Sequence, residues 1–416
     1  MAEQRRVVVT GIGTINPLGN SVAEYFGNLE KGVSGAGPIT HFDASKFKTR
    51  FACEVKNYDP ALYFDRKEVR KYDIFAQFAM ISVAEAVADS GLDFEACDTD
   101  RAGVVWSTGV GGLTSFFAEI TDYAAGDGTP RFSPFFVPRM IPDLPAGYIS
   151  IKYGLRGPNY CVSSACASSN HGIISAADQI RAGRADIMVA GGSEQVVNVP
   201  GIGGFNAMQA LSTRNDDPEH ASRPFDVDRD GFVMGEGAGA LILEEYGHAV
   251  ARGAKIYCEL AGCGMSADAH HMTAPDPEGR GAAASMRNAL ADAGLSTSEV
   301  DYVNVHGTST PLGDIAEIKA LESLFGEDVY GLNISATKSM TGHLLGAAAA
   351  VEALACIFAI ERGTVPPTIN VRTLDPAIDS RLNLTLGTAQ KRDVRVALSN
   401  TFGFGGHNAT VIFRKL

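Results

Sequence analysis

The segment Tyr160-Cys-Val-Ser-Ser-Ala-Cys-Ala-Ser-Ser-Asn170 carries the strongest chemical signal in the chain. It sets Cys166 between a short buried-strand pattern at 159–163 and a helical one, in which Ile173, Ile174, Ala177 and Ile180 share a face. A thiol at a helix N-terminus meets unpaired backbone N–H groups and the positive end of the helix dipole. Both favour the ionised, nucleophilic form. Ser168, Ser169 and Asn170 offer capping oxygens, and no acidic residue lies close by in sequence to oppose a thiolate. Free cysteines are also commonly just small buried residues, so the reading depends on partners.

Three further segments supply them. Val305-His306-Gly-Thr-Ser-Thr310 puts a histidine at the C-terminal end of a strand pattern, where open α/β sheets carry functional groups. Thr337-Lys-Ser-Met-Thr-Gly-His343 puts a second just ahead of an apolar helix, whose dipole would favour neutral imidazole, a donor to a developing oxyanion. Asn400-Thr-Phe-Gly-Phe-Gly-Gly-His-Asn408 is a glycine-rich turn between two apolar strands, able to bring main-chain N–H groups close to a ligand. One cysteine with one histidine would suit a thiol hydrolase. Two histidines with no evident orienting Asn or Asp fit enolate or oxyanion stabilisation better.

The elements that must position these groups read as α/β throughout, with short apolar runs alternating with longer helical patterns. Strands are expected at 5–11, 102–108, 159–163, 186–190 and 238–244 in a first half (1–254). Others are expected at 256–262, 302–306 and 333–335 in a second (255–416), which repeats a similar βαβα rhythm. The pattern at 344–361 is apolar on every side, so that helix belongs in the middle of the molecule. Its buried carboxylate, Glu352, needs a cationic partner, and Lys338 is the candidate.

A chain of 416 residues with 45% hydrophobic and 20% charged residues is an ordinary globular protein too long for one simple core. A net charge of −13 excludes nucleic acid as an expected partner. Seven scattered cysteines argue against a disulfide framework and for a reducing cytoplasm. No apolar run approaches the roughly 20 residues of a membrane span, and no ligand spacing suggests a metal. Asp65-Arg-Lys-Glu-Val-Arg-Lys-Tyr72 gathers Lys67, Arg70 and Lys71 at helical spacing, a basic patch suited to an acidic partner.

These segments, together with Val7-Val-Val-Thr-Gly-Ile-Gly13, Ser133-Pro-Phe-Phe-Val-Pro138, Val189-Ala-Gly-Gly-Ser-Glu194 and Asp230-Gly-Phe-Val-Met-Gly-Glu-Gly237, give the chain a resemblance over nearly its whole length. It resembles the condensing enzymes of the thiolase superfamily, most closely the β-ketoacyl-[acyl carrier protein] synthase II group. The resemblance implies a thiolase-like α/β fold whose two halves make five layers, αβαβα, and an enzyme without cofactor or metal. It implies that Cys166 accepts an acyl group from acyl carrier protein, with the N–H groups of Cys166 and Phe404 as oxyanion hole. His306 and His343 would hold the malonyl thioester and stabilise its enolate, with Lys338, paired to Glu352, holding the site in register. Thr308 and Thr310 would touch the phosphopantetheine arm. Phe404, beside Phe402, would gate the acyl pocket together with the loop around Asp268 and His271. Lys67, Arg70 and Lys71 would dock the carrier protein, and a homodimer would form near 159–163.

Departures concern specificity. His407 stands where many relatives have threonine, and Ala167 follows the nucleophile. Val110, at the acyl pocket, stands where relatives often carry isoleucine. That loses about one methylene of packing, roughly 1 kcal/mol, and would admit longer or branched chains. A thiolase proper would need a second catalytic cysteine near 400–408, yet only Cys356 lies downstream of Cys263, within the apolar helix. A polyketide-type ketosynthase stays open. A non-catalytic chain-length subunit typically lacks the nucleophile that Cys166 provides.

Overall fold

The computed structural model describes residues 5–416 and builds one ten-stranded sheet. In chain order its strands are β1 (Val7–Ile15), β2 (Ala102–Ser107), β3 (Asn159–Val162), β4 (Ile187–Glu194), β5 (Gly237–Glu245), β6 (Cys258–Ala267), β7 (Tyr302–Asn304), β8 (Asn333–Ser335), β9 (Val396–Gly403) and β10 (His407–Arg414). The spatial order is β8-β7-β9-β10-β6-β1-β5-β4-β2-β3. Read outward from the centre, β1-β5-β4-β2-β3 and β6-β10-β9-β7-β8 are the same arrangement made twice. In each, the first, fifth and fourth strands pair antiparallel, and the fourth, second and third pair parallel. Among the described residues the two sets of strands pair through Val8 and Val9 of β1 against Glu259 and Cys258 of β6.

Helices cover both faces, which is why the central strands are continuous apolar runs rather than alternating ones. Outside lie α1 (Ile74–Ser90), on β1 and β5, and α4 (Arg280–Ala293), on β6 and β10, with α5 (Pro311–Phe325) beside α4. The helix α2 (Leu113–Ala125) lies at the surface with Phe116, Phe117, Ile120 and Tyr123 exposed. Between the sheet layers run α3 (Ser168–Arg181) and α6 (Ala348–Arg362). Every residue of α6 from Ala348 to Ile360 is buried, as its all-round apolar pattern requires. Its start is later than the pattern suggests. Leu345 has φ +48°, in the left-handed region, so a 3-10 turn at Leu345–Ala347 precedes the helix.

Strand β3 departs from the buried strand expected at 159–163. It is the end of the sheet, with Asn159 exposed and its other residues half-buried. Among the described residues no helix is long and apolar enough to cross a membrane.

Candidate active site

The turn from β3 into α3 sets the position of Cys166. Ala165 adopts φ +52°, and the following Ala167 and Ser168 N–H groups donate to Ser164 and Ala165 carbonyls at 3.1 and 3.2 Å. Ser168, Ser169 and Asn170 do not cap the helix, whose N-cap is Ala167 with no side-chain cap. They tie it to its surroundings instead. Ser168 Oγ accepts from Ser164 N–H (2.9 Å) and donates to Ala165 O (2.6 Å). Ser169 Oγ donates to Gly346 O, and Asn170 Nδ2 donates to Ser399 and Ala409 carbonyls.

Cys166 is 8% exposed, and burial pushes its thiol up to about 11. The Lys338 ammonium and the backbone N–H groups of Phe404 and Cys166 pull the other way, while Glu194 adds to the rise. The sequence-based expectation of a thiolate favoured by the helix dipole is therefore corrected. The helix begins two residues beyond the sulfur, and desolvation outweighs the groups that favour charge.

The two histidines close on this cysteine from the other set of strands. His306 follows β7, and its own N–H and that of Gly307 donate to the buried Glu317 carboxylate at 2.8 and 2.9 Å. His343 follows a short helix (Lys338–Thr341), its N–H donating to Val233 O at 2.7 Å. The imidazole rings stand 5.3 Å apart, centre to centre, and nearly perpendicular. Phe402 packs 5.7 Å from His306 and Phe232 5.2 Å from His343. Neither Nδ1 has a hydrogen-bond partner, so packing rather than a carboxylate orients the rings.

Burial first, and then the Lys338 charge, holds both imidazoles well below 6.5, hence neutral. For His343 this neutrality was expected from a helix dipole; burial is the larger cause. Lys338 itself is buried, contacts Glu352 Oε1, and does not line the cavity. Glu352 is pushed up to about 7 by burial against the pull of that ammonium.

Strand β9 brings the glycine-rich turn onto Cys166. A Cβ at Gly403 would lie 2.7 Å from Ser164 O and 3.2 Å from Cys166 N, so only glycine fits that approach. A cavity of about 640 Å³ then opens onto Cys166, His306, His343, Phe402 and Phe404. Thr308, Thr310, Val110 and Asp268 line it too, with the two threonine hydroxyls 3.0 Å apart. Asp268 Oδ1 accepts from Asn408 Nδ2 (2.7 Å), and its N–H donates to Gly406 O, tying the 268 loop to the turn. His271 does not join them. It is exposed, outside the cavity lining, and its Nδ1 accepts from Thr273 and Ala274 N–H groups in its own turn. Lys67 and Lys71, with Arg70, sit exposed on a six-residue helix (Arg66–Lys71), none in an ion pair among the described residues.

Several buried groups escaped the sequence reading: Glu194, Glu317 and Asp314. Burial pushes Asp314 up to about 6 and Glu317 up to about 7. Their signal was present, because Asp314 and Glu317 fall on the same helical face as Ile318, Leu321 and Phe325, which is the core side of α5.

The sequence profile of the β-ketoacyl synthase N-terminal domain matches residues 4–249, and that of the C-terminal domain matches 257–372. The chain belongs to the β-ketoacyl synthase family. It is 47% identical over 414 residues to the 3-oxoacyl-[acyl-carrier-protein] synthase 2 of Coxiella burnetii, covering 100% of this chain and 99% of that one. The same-named protein of Vibrio harveyi is 48% identical over 415 residues, covering 99% of each. Among solved structures, a β-ketoacyl synthase from Burkholderia phymatum superposes with a TM-score of 0.90 at 36% identity, over 99% of this chain and 100% of the other. A type II PKS ketosynthase in complex with its acyl-carrier protein gives 0.91 at 35%, over 100% of both. As a β-ketoacyl synthase the chain is a condensing enzyme of the acyltransferase type on a thiolase-like α/β fold.

Proposed function

We propose that this β-ketoacyl synthase performs decarboxylative Claisen condensation in fatty acid elongation. The observation that carries this is the convergence of one thiol, two neutral imidazoles and a glycine-rich turn on a single cavity. The sulfur of Cys166 attacks the thioester of an acyl-acyl carrier protein. The carrier's thiolate leaves and takes up the proton the cysteine gives, so transfer is proton-neutral overall. The N–H groups of Cys166 and Phe404 stabilise the oxyanion on the way.

Malonyl-acyl carrier protein then binds with its thioester carbonyl at His306 and His343. Each neutral imidazole retains one N–H to donate, which suits an oxygen that becomes an enolate as CO₂ departs. The resulting carbon attacks the acyl-cysteine. The Cys166 thiolate leaves and takes one proton from solvent, giving 3-oxoacyl-acyl carrier protein, CO₂ and the free enzyme. Lys338, held by Glu352, supplies a positive charge that adds to burial in keeping both imidazoles neutral. Phe404 gates the pocket beside Phe402, Val110 and Asp268, and the Thr308 and Thr310 hydroxyls meet the phosphopantetheine arm.

The same reading makes acyl carrier protein the acidic partner of Lys67, Arg70 and Lys71. It makes the enzyme a homodimer, for which the unpaired edge strand β3 and the exposed aromatic face of α2 are the supporting surfaces. It divides the chain at 254/255 into a half bearing the nucleophile and a half bearing the histidines. It also implies a cytoplasmic setting, in keeping with seven free cysteines of which one must stay reduced to act. A polyketide-type pathway is the second reading, favoured by structural likeness to such a ketosynthase at 35% identity. The 47% and 48% relatives favour fatty acid elongation.

Intact-protein mass after mixing with a medium-chain acyl carrier protein tests the proposal. One acyl group should appear on the Cys166 peptide and be lost, as an elongated β-keto product, when malonyl carrier protein is added. Absence of acylation across a range of chain lengths would refute it.

A further inference from the structure

The reaction as drawn leaves several buried carboxylates without a task, among them Asp314, Glu317 and Glu194. Glu194 ends β4, is 0% exposed and, among the described residues, has no cationic partner. Its Oε2 accepts from the N–H groups of Gly109 (2.7 Å) and Gly346 (3.0 Å). Its Oε1 accepts from Thr108 Oγ1 (2.8 Å), from Val110 N–H (3.1 Å) and, more weakly, from Gly111 N–H (3.4 Å). Five donors converge on one side chain, an arrangement the carboxylate uses in full and a protonated carboxyl, with a donor of its own, does not.

What these donors belong to gives the carboxylate its meaning. Gly109 and Val110 line the acyl cavity, and Gly346 lies in the Leu345–Ala347 turn that follows His343. The Gly346 peptide is held at both ends, its N–H by Glu194 and its carbonyl by Ser169, three residues beyond the nucleophile. No side chain could intervene. A Cβ at Gly346 would lie 2.1 Å from Gly109 N, and one at Gly109 would lie 2.9 Å from Glu194 Oε2.

We infer that Glu194 is the positioning residue that locks the acyl-pocket wall and the His343 segment to one another around Cys166, and so sets which acyl chains reach the thiol. The inference rests on the condensing reaction proposed above. Glu194 touches no reacting atom; it acts through Val110 on one side and through the turn after His343 on the other. Its charge also bears on the thiol, opposing Lys338 and the Phe404 and Cys166 N–H groups, with the neutral His306 and His343 completing that surrounding.

Glu194→Gln keeps the shape but turns one oxygen into an NH₂ facing donors. Two readouts distinguish positioning from mere stability. The ratio of long-chain to short-chain acyl transfer onto Cys166, followed by intact mass, should change by about tenfold, the loss expected when buried donors are left unpaired. The pH midpoint of Cys166 alkylation by iodoacetamide should move to lower pH, since a nearby negative charge is gone. A folded Glu194→Gln protein with the wild-type chain-length ratio overturns the inference, whatever its total activity. If Glu194→Gln does not fold, Thr108→Val, which removes one donor only, should shift the same ratio in the same direction, and an unchanged ratio there overturns it equally. Wild-type protein that fails to acylate at all would refute the condensing reading instead, leaving the alkylation midpoint to decide the role of Glu194.

Discussion

A thiol held at about 11 stands beside two imidazoles held neutral, and the proposed reaction divides the work between them as attack and charge stabilisation. Cys166→Ala removes the acyl acceptor but leaves both imidazoles. Condensation should fall below detection while malonyl decarboxylation persists, measured as CO₂ release; an elongating Cys166→Ala enzyme would mean another nucleophile. His306→Ala and His343→Ala should do the reverse. Each should still take an acyl group on Cys166, yet lose decarboxylation by about 100- to 1000-fold, the usual effect of removing one oxyanion donor. Full decarboxylation in both would sink the enolate role. These three residues were legible in the sequence because each stands at the junction of a strand pattern and a polar or helical one. Glu194 was not, because a lone carboxylate at the end of an apolar strand pattern carries no mark of the backbone N–H groups it will meet in three dimensions.

At the scale of elements, the close approach of β9 to the turn before α3 governs the site. Gly403→Ala would press a methyl against Ser164 O and the Cys166 N–H. Overpacking of this kind costs about 1–3 kcal/mol, so a lower Tm and slower acylation are expected; an alanine variant that acylates at the wild-type rate would show the approach to be dispensable. The ten strands were legible as apolar runs, and α6 as a helix with no polar face. The edge position of β3 was not, because Tyr160, Cys161 and Val162 read as core while pairing decides which strand lies at the end. Nor was the exposure of His271, whose ring serves its own turn rather than the cavity. Val110 lines the cavity as anticipated, but its backbone N–H is as much a part of the site as its side chain.

The whole molecule answers to pH through groups buried at its centre. The imidazoles of His306 and His343, held below 6.5 in the fold, take up protons more readily once unfolded, so acidification below that value favours unfolding. Glu317 and Glu352 act oppositely. Pushed from 4.5 up to about 7, they keep protons in the fold that the unfolded chain would release, and their contribution is lost as pH rises across that window. The two pairs offset one another on mild acidification. In Glu317→Gln one opposing group is gone, so the urea midpoint should fall more steeply than in wild type between pH 6.5 and 4.5; parallel curves would contradict the assignment. At the surface, charge reversal of Lys67, Arg70 and Lys71 together should raise KM at least tenfold for carrier-bound substrate and leave a small thioester mimic unaffected. Equal losses with both would remove the docking role.

The strand order made twice has a consequence of its own. The turn after the third strand of the first set carries Cys166, and the segment after the third strand of the second carries Lys338 and His343. Two identical units would carry the same residue at both of these equivalent positions, whereas here one position holds the thiol and the other an imidazole. The cavity draws the thiol from one set and the imidazoles from the other, so separately expressed segments would have to reassociate before either regained a complete site.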